Sequence, residues 1–262
     1  MRRKKKTERG DRARRLLLPT LLLAALIGAW QLAASTGALA DLLGLESFLV
    51  PSPAEIAESL WQSRSLLAEN AWVTLQEIVL GLACALVAGV GFAVLMHLST
   101  LLRDAAYPLV VASQTIPIVV IAPILLVWLG YGIGPKVVVV ALICFFPITV
   151  NVLDGLGSAP PDAIKMMRSL DASRWQVFRR IEVPTALPSF FTGAKIAVVI
   201  APIGAVFGEW VGASSGLGHL ILTDNGQLEV AREFAATAVL AAIALVLIGL
   251  FTLVQRRVVT WR

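Results

Sequence analysis

The sequence predicts an all-α membrane protein with six transmembrane helices. Three observations carry that prediction. Apolar residues make up 58% of the 262 positions, against about 45–50% in a soluble domain. The mean hydropathy is +0.82, and the apolar residues fall in blocks of membrane-spanning length. Helices and closed barrels alone satisfy their backbone in hydrocarbon, and the weak ten-residue alternation of a barrel is not visible in this chain.

The first span runs from about Leu16 to Ser35, after a basic tail, residues 1–15, that reads MRRKKKTERGDRARR. Basic tail, apolar stretch and the Ala38-Leu39-Ala40 ending together resemble a signal peptide. The apolar stretch is longer than a usual signal core, so it reads as a retained helix, with residues 16–262 as the transmembrane domain. Residues 50–67 lie outside the spans. There Ser52 suits a helix N-cap, Pro53 the first helical position and Glu55 a capping box, with Ile56, Leu60 and Trp61 on one face of a short interfacial helix. The second span runs from about Ala71 to Leu98. The third runs from about Ala105 to Leu129 and carries Pro117 and Pro123. The remaining spans are about Lys136–Leu153, Phe191–Val211 and Phe234–Val254.

Basic residues set the orientation. With the N-terminus inside, 19 of the 22 basic residues fall on the inner side and only Arg64, Lys136 and Arg232 on the outer side. Both termini and the loop after the fourth span are therefore expected in the cytoplasm. The net charge of +5 does not point to nucleic acid, because nine basic residues sit before Leu16, beside a span, where they meet anionic lipid. Cys84 and Cys144 lie in apolar runs and read as packing residues. His97 and His219 stand alone, without a metal-ligand spacing, so neither a disulfide nor a metal site is expected.

The loop from Asp154 to Phe190 is polar, basic and patterned. It carries Lys165, Arg168, Arg174, Arg179 and Arg180. Ile164, Met167 and Leu170, then Trp175 and Phe178, recur at helical spacing, and Pro184 and Pro188 are expected to end the pattern. Two short amphipathic helices joined by a turn at Asp171-Ala172-Ser173 would offer an apolar ridge to a cytosolic partner.

On these residues the chain resembles the permease subunits of ATP-binding-cassette importers of the binding-protein-dependent type I family. Their coupling loop reads Glu-Ala-Ala, three residues, Gly, nine residues, then Ile-x-Leu-Pro. Lys165-Met166-Met167 fall on the Glu-Ala-Ala positions, Asp171 on the Gly, and Ile181, Val183 and Pro184 on the Ile, Leu and Pro. The Glu-Ala-Ala and the Gly are lost. Asp tolerates a left-handed turn better than most residues, so the turn is expected to survive. LPSFFTGAK (Leu187 to Lys195) resembles the family's continuation.

The resemblance implies a type I importer permease fold in a bacterial inner membrane. It implies that residues 154–190 dock on a cytosolic ATPase dimer, through Met166, Met167, Leu170, Trp175 and Phe178 for apolar contact and Arg168, Arg174, Arg179 and Arg180 for polar contact. It further implies a second permease copy, expected to be identical, and an external solute-binding protein. No GxxxxGK[ST] loop is present. ATP and Mg therefore belong to the partner; this chain is expected to bind no cofactor and to be no enzyme.

A narrower resemblance lies in SQTIPIVVIAPILLVWLGYG (Ser113 to Gly132), CFFPITVNVLDGL (Cys144 to Leu156) and GEWVGASSGLG (Gly208 to Gly218). These look like the branch importing nitrate, taurine, aliphatic sulfonates and thiamine-pyrimidine precursors. Glu77 in TLQEIVLGLA, together with GAVFGEWVGASSGLGHLI, is most similar to the pyrimidine-precursor permeases.

Polar residues inside spans are costly and invite a functional reading. Gln114 and Asn151 are candidates to line a translocation path, or to bond between helices. Glu77 and Glu209 are candidates for the same path, for capping helix ends, or for meeting the binding protein. The scarcity of Arg and Lys within the spans favours a neutral or cationic solute over sulfonate or nitrate. Two other classes compete. An intramembrane enzyme would need a catalytic cluster, which is missing from the sequence. An ion-gradient-driven transporter would show midplane carboxylates or paired broken helices.

Overall fold

The computed structural model describes residues 2–260, with side chains described from residue 17. The basic side chains of the tail and Arg262 lie outside the described residues. The chain divides into two compact units, residues 1–65 with 223–236, and residues 66–222 with 237–262. Among the described residues every regular element is helical.

The first unit opens with α1 (Arg2–Ser35), which begins well before the expected Leu16. Next come α2 (Ala38–Leu43), a 3-10 turn (Ser47–Leu49) and α3 (Pro53–Gln62). The N-terminus of α3 is built as the sequence predicts. Ser52 Oγ accepts from Glu55 N at 3.3 Å and Glu55 Oε2 accepts from Ser52 N at 2.6 Å, so the capping box closes two otherwise orphaned donors. Ile56 is buried, whereas Trp61 is exposed. Gln31 Oε1 accepts from Ala54 N at 2.9 Å and ties α1 to α3.

The second unit begins with α4 (Arg64–Leu98), longer than the expected span by about two turns. The third expected span is not one helix. α5 (Thr100–Ser113) and α6 (Ile118–Leu129) meet at a bend of 101°. Pro117 explains the break, since it has no N–H to continue α5 and its ring excludes a helical residue before it. α7 (Ile133–Gly157) is followed by α8 (Pro161–Ser169).

The turn after α8 is a Schellman motif with Asp171 in the glycine position. Asp171 has φ +54°, Ala172 N donates to Met167 O at 3.1 Å, and Asp171 N donates to Arg168 O at 3.1 Å. Ser173 then caps α9 (Arg174–Val177), with Gln176 completing a second capping box. Pro184 and Pro188 do not end the helix. A π-turn (Phe178–Glu182) joins α9 to α10 (Val183–Trp210), and the helical path is continuous from Arg174 to Trp210. Val183 N donates to Phe178 O, one residue further back than in an α-helix. That shift falls just before Pro184, where a regular helix would clash with the carbonyl of Arg180.

α10 packs along α7 through small residues. Ala194, Ala197, Ala201 and Ala205 are fully buried. A Cβ on Gly193 would lie 2.6 Å from Pro147 O, and one on Gly204 would lie 2.9 Å from Ile143 Cγ2. Lipid tails are as apolar as leucine, so close backbone approach, not burial from water, holds such helices together. Cys144 Sγ donates to Ala197 O at 3.3 Å in this seam. α11 (Leu217–Gln227) and α12 (Val230–Val258) complete the chain. Among the described residues five helices are long and apolar enough to cross a membrane, or six if α5 and α6 count as one broken span.

The left-handed turn makes a direct prediction. Asp171→Gly is expected to raise stability by up to about 1 kcal/mol, whereas Asp171→Val lowers it, because a β-branched residue is strained there. Thermal unfolding of the purified protein in detergent checks the order. A valine variant as stable as the glycine variant would show that the turn is not left-handed.

Candidate functional site

The second unit contains a buried polar network, assembled from α4, α7, α10 and the loop into α11. Glu209 is its centre and is 1% exposed. Its Oε1 accepts from Thr74 Oγ1 at 2.6 Å, and its Oε2 accepts from Gly218 N at 2.5 Å and His219 N at 3.2 Å. The carboxylate therefore caps the N-terminus of α11, where free N–H groups favour an anion. Thr74 Oγ1 also accepts from Leu217 N at 2.8 Å, and Asn70 Oδ1 accepts from Gly216 N at 2.7 Å.

Two glycines of GASSGLG, Gly216 and Gly218, are explained by this geometry. Gly216 has φ +116°, and a Cβ there would lie 2.3 Å from the Glu209 carboxylate. One turn along α4 from Thr74, Glu77 is fully buried and its Oε1 accepts from Lys136 Nζ at 2.8 Å. Glu77 Oε2 has no hydrogen-bond partner among the described residues. Glu77 therefore depends on Lys136 for its charge compensation.

The two acids are thus buried within this unit and not on its surface. They are sealed between helices, because a carboxylate in hydrocarbon needs every available donor. Lys136, expected at the outer start of the fourth span, is buried in the first turn of α7 against Glu77. Arg232, also expected on the outer side, lies in α12. It makes a bidentate pair with the fully buried Asp224, with Nε at 3.0 Å from both oxygens and Nη2 at 2.6 Å from one.

The loop of residues 154–190 presents a mixed surface. Met166, Leu170 and Trp175 are 61%, 73% and 63% exposed, and Arg168, Arg179 and Arg180 are exposed beside them. Met167 and Pro184 are half-buried. Phe178 departs from the expected ridge. It is buried, stacked under Trp175 at 5.4 Å and set against His97 at 6.2 Å between ring centroids. Phe178 thus backs the exposed Trp175 ring. Arg174 donates through Nη2 to Leu98 O at 3.1 Å, a cation on the last carbonyls of α4. His97 Nε2 lies 2.9 Å from Glu182 Oε2. Sequence reasoning left His97 unassigned; its place in the last turn of α4 is the only local signal for this contact.

Of the two amides, Asn151 is half-buried and its Nδ2 donates to Pro147 O at 2.7 Å in its own helix. Gln114 is exposed at the break between α5 and α6. Among the described residues no cluster of three or more His, Cys, Asp or Glu side chains is placed to hold a metal.

A broken apolar bundle with an exposed basic loop clamped to one of its helices defines a multi-pass membrane transport subunit. The fold matches a chain of the MetNI methionine ABC transporter in an inward-facing conformation, with a TM-score of 0.62 at 22% identity over 76% of this chain and 97% of that one. The family model described as binding-protein-dependent transport system inner membrane component matches residues 78–260, and the chain belongs to this family. It is 37% identical to the formylaminopyrimidine transport permease protein ThiX of Halalkalibacterium halodurans over 96% of this chain and 98% of that one. It is also 37% identical to the riboflavin transport system permease protein RibX of Chloroflexus aurantiacus, covering 84% and 83% of the two chains. The chain is an ABC importer permease, a transport component and a multi-pass protein of the bacterial inner membrane. Its family works with an ATPase and a solute-binding protein.

Removing one partner of a buried ion pair costs about 3–5 kcal/mol, whereas removing both is close to neutral. Lys136→Met is therefore expected to lower the unfolding temperature in detergent strongly, and adding Glu77→Gln to recover most of the loss. Additive losses in the double variant would contradict the pairing. Gly216→Ala is expected to leave little folded protein in the membrane, since neither the backbone angle nor the Glu209 carboxylate admits a methyl group.

Proposed function

We propose that this chain forms the translocation path for a small heterocyclic solute of the thiamine-pyrimidine-precursor type, resembling hydroxymethylpyrimidine. An external solute-binding protein delivers the solute, and ATP hydrolysis in a cytosolic partner, which holds the ATP and Mg, drives its passage. The observation that carries the reading is the 37% identity to a formylaminopyrimidine permease across nearly the whole of both chains. A second reading, riboflavin, has the same identity over somewhat shorter coverage. Both solutes present uncharged nitrogen heterocycles. The pairing of Lys136 with Glu77 supports that class over sulfonate, taurine or nitrate, because it removes the buried lysine as a counter-ion.

In this reading residues 1–15 are a lipid-facing basic tail, 16–262 the permease domain and 154–190 the ATPase-coupling loop, with both termini in the cytoplasm. Two copies of the chain surround the path. Trp175, Met166 and Leu170 enter a groove of the ATPase, and Arg168, Arg179 and Arg180 meet its polar rim. Motion of the loop passes to α4 through Arg174 on Leu98 and through Glu182 on His97.

Two experiments test this. A host lacking the gene and unable to make the thiamine pyrimidine is expected to grow on limiting hydroxymethylpyrimidine only when the gene is restored. Growth on riboflavin alone, in a riboflavin auxotroph, would move the solute to the second reading. Trp175→Ala and Arg174→Glu are expected to abolish uptake while the protein still inserts in the membrane, as blotted membrane fractions would verify. Normal uptake in both variants would sink the docking role of the loop.

A further inference from the structure

The break between α5 and α6 is unexplained by packing alone. At Gln114–Pro117 the chain leaves the helix through short turns: Gln114 N donates to Val111 O at 3.1 Å, Thr115 N to Ala112 O at 3.0 Å and Ile116 N to Ser113 O at 3.4 Å. Gln114, Thr115, Ile116 and Pro117 are all exposed on this chain. Irregular backbone at membrane depth is tolerated only where it is buried in protein or lines a watery cavity, because lipid cannot satisfy it. A cavity of about 280 Å³ opens beside the break, lined by Ser113, Gln114, Pro117 and Ile118 with Leu142 and Ile143 of α7. That volume is near the lower end of small-molecule sites, about 300–1,000 Å³, and suits a solute of one ring better than a large one.

The polar groups at the break are not equivalent. Ser113 Oγ donates to Val110 O at 2.7 Å and Thr115 Oγ1 to Ala112 O at 2.8 Å, so both hydroxyls are engaged by the turn before them. The Gln114 side-chain amide makes no hydrogen bond among the described residues. It offers an acceptor and two donors beside apolar walls. Asn151, by contrast, is engaged in its own helix.

We propose that the broken helix is the solute-contacting site of the path, with Gln114 as a specificity-determining residue. Its amide pairs with the adjacent ring-nitrogen acceptor and exocyclic-amine donor of a small aminopyrimidine, the bidentate geometry by which Gln reads an adenine edge. Pro117 and Ile118 flank the ring. The inference rests on the heterocycle-import reading, and its test separates the two.

The first arm needs no solute. Gln114→Cys is placed in a Cys84→Ser background, which removes the exposed native thiol, and the assembled transporter in membrane vesicles is treated with a charged methanethiosulfonate reagent. Labelling in at least one nucleotide state is expected. A thiol unreactive in every state overturns the proposal, because a lipid- or protein-covered break lines no path. The second arm measures uptake of hydroxymethylpyrimidine, its analogue lacking the 4-amino group and riboflavin by wild type and Gln114→Leu. The variant is expected to lose about tenfold or more of hydroxymethylpyrimidine uptake and to lose the preference over the analogue without the amino group, while ATP hydrolysis stimulated by the binding protein persists. Gln114→Asn serves as the conservative control, expected to retain the preference at a reduced rate. Unchanged uptake and preference in Gln114→Leu overturns the proposal. Labelling with no uptake of any of the three solutes by wild type overturns the heterocycle reading and with it the assigned role of Gln114, and leaves only a water-lined break.

Discussion

A carboxylate placed inside a membrane bundle must find donors within the protein, and Glu209 is where this chain meets that demand most fully. Its two oxygens take a hydroxyl from α4 and two backbone N–H groups from the start of α11. That single side chain fixes the rotation of α10, the register of α4 and the path of the glycine loop. Glu77 and Lys136 add the position of α7. Small residues between α7 and α10 allow close contact, but apolar packing alone permits sliding. Directional bonds to a buried charge do not.

α4 extends from this network to the coupling loop. Its 35 residues span about 50 Å, with Asn70, Thr74 and Glu77 toward one end and His97 and Leu98 at the other. The far end is held by a cation on the Leu98 carbonyl, by Glu182 on His97 and by the Phe178 ring against the His97 ring. A regular helix transmits displacement along its axis with little loss, so a shift at Trp175 has a continuous physical route to the loop that Glu209 organises. The irregular elements sit elsewhere: a π-turn below Phe178, a left-handed aspartate at 171, and a sharp break before Pro117.

Much of this was legible in the sequence, for identifiable reasons. Span number follows from composition and length. The capping boxes at Ser52 and Ser173 and the turn at Asp171 follow from local hydrogen bonding, which a sequence displays directly. The failures are of a different kind. Pro184 was expected to stop a helix, and a π-turn two residues earlier absorbs it; nothing local announces a π-turn. Pro117 was counted inside a continuous span, although the same proline rule supplies the break. Phe178 shares the periodicity of an exposed ridge, and it is buried against His97 of α4, a contact distant in sequence. The burial of Lys136 escapes charge statistics, which ignore partners, and its partner Glu77 is 59 residues away. Long-range pairings of this sort are written in the fold.

Transport by the purified assembly tests the account most directly. The permease, its ATPase and its binding protein would be reconstituted in proteoliposomes, with labelled hydroxymethylpyrimidine supplied on the binding-protein side. The account predicts accumulation that requires ATP on the ATPase side and persists when ionophores collapse all ion gradients. Accumulation without ATP that vanishes with the ionophores would contradict it, and would make the broken helix part of an ion-driven carrier.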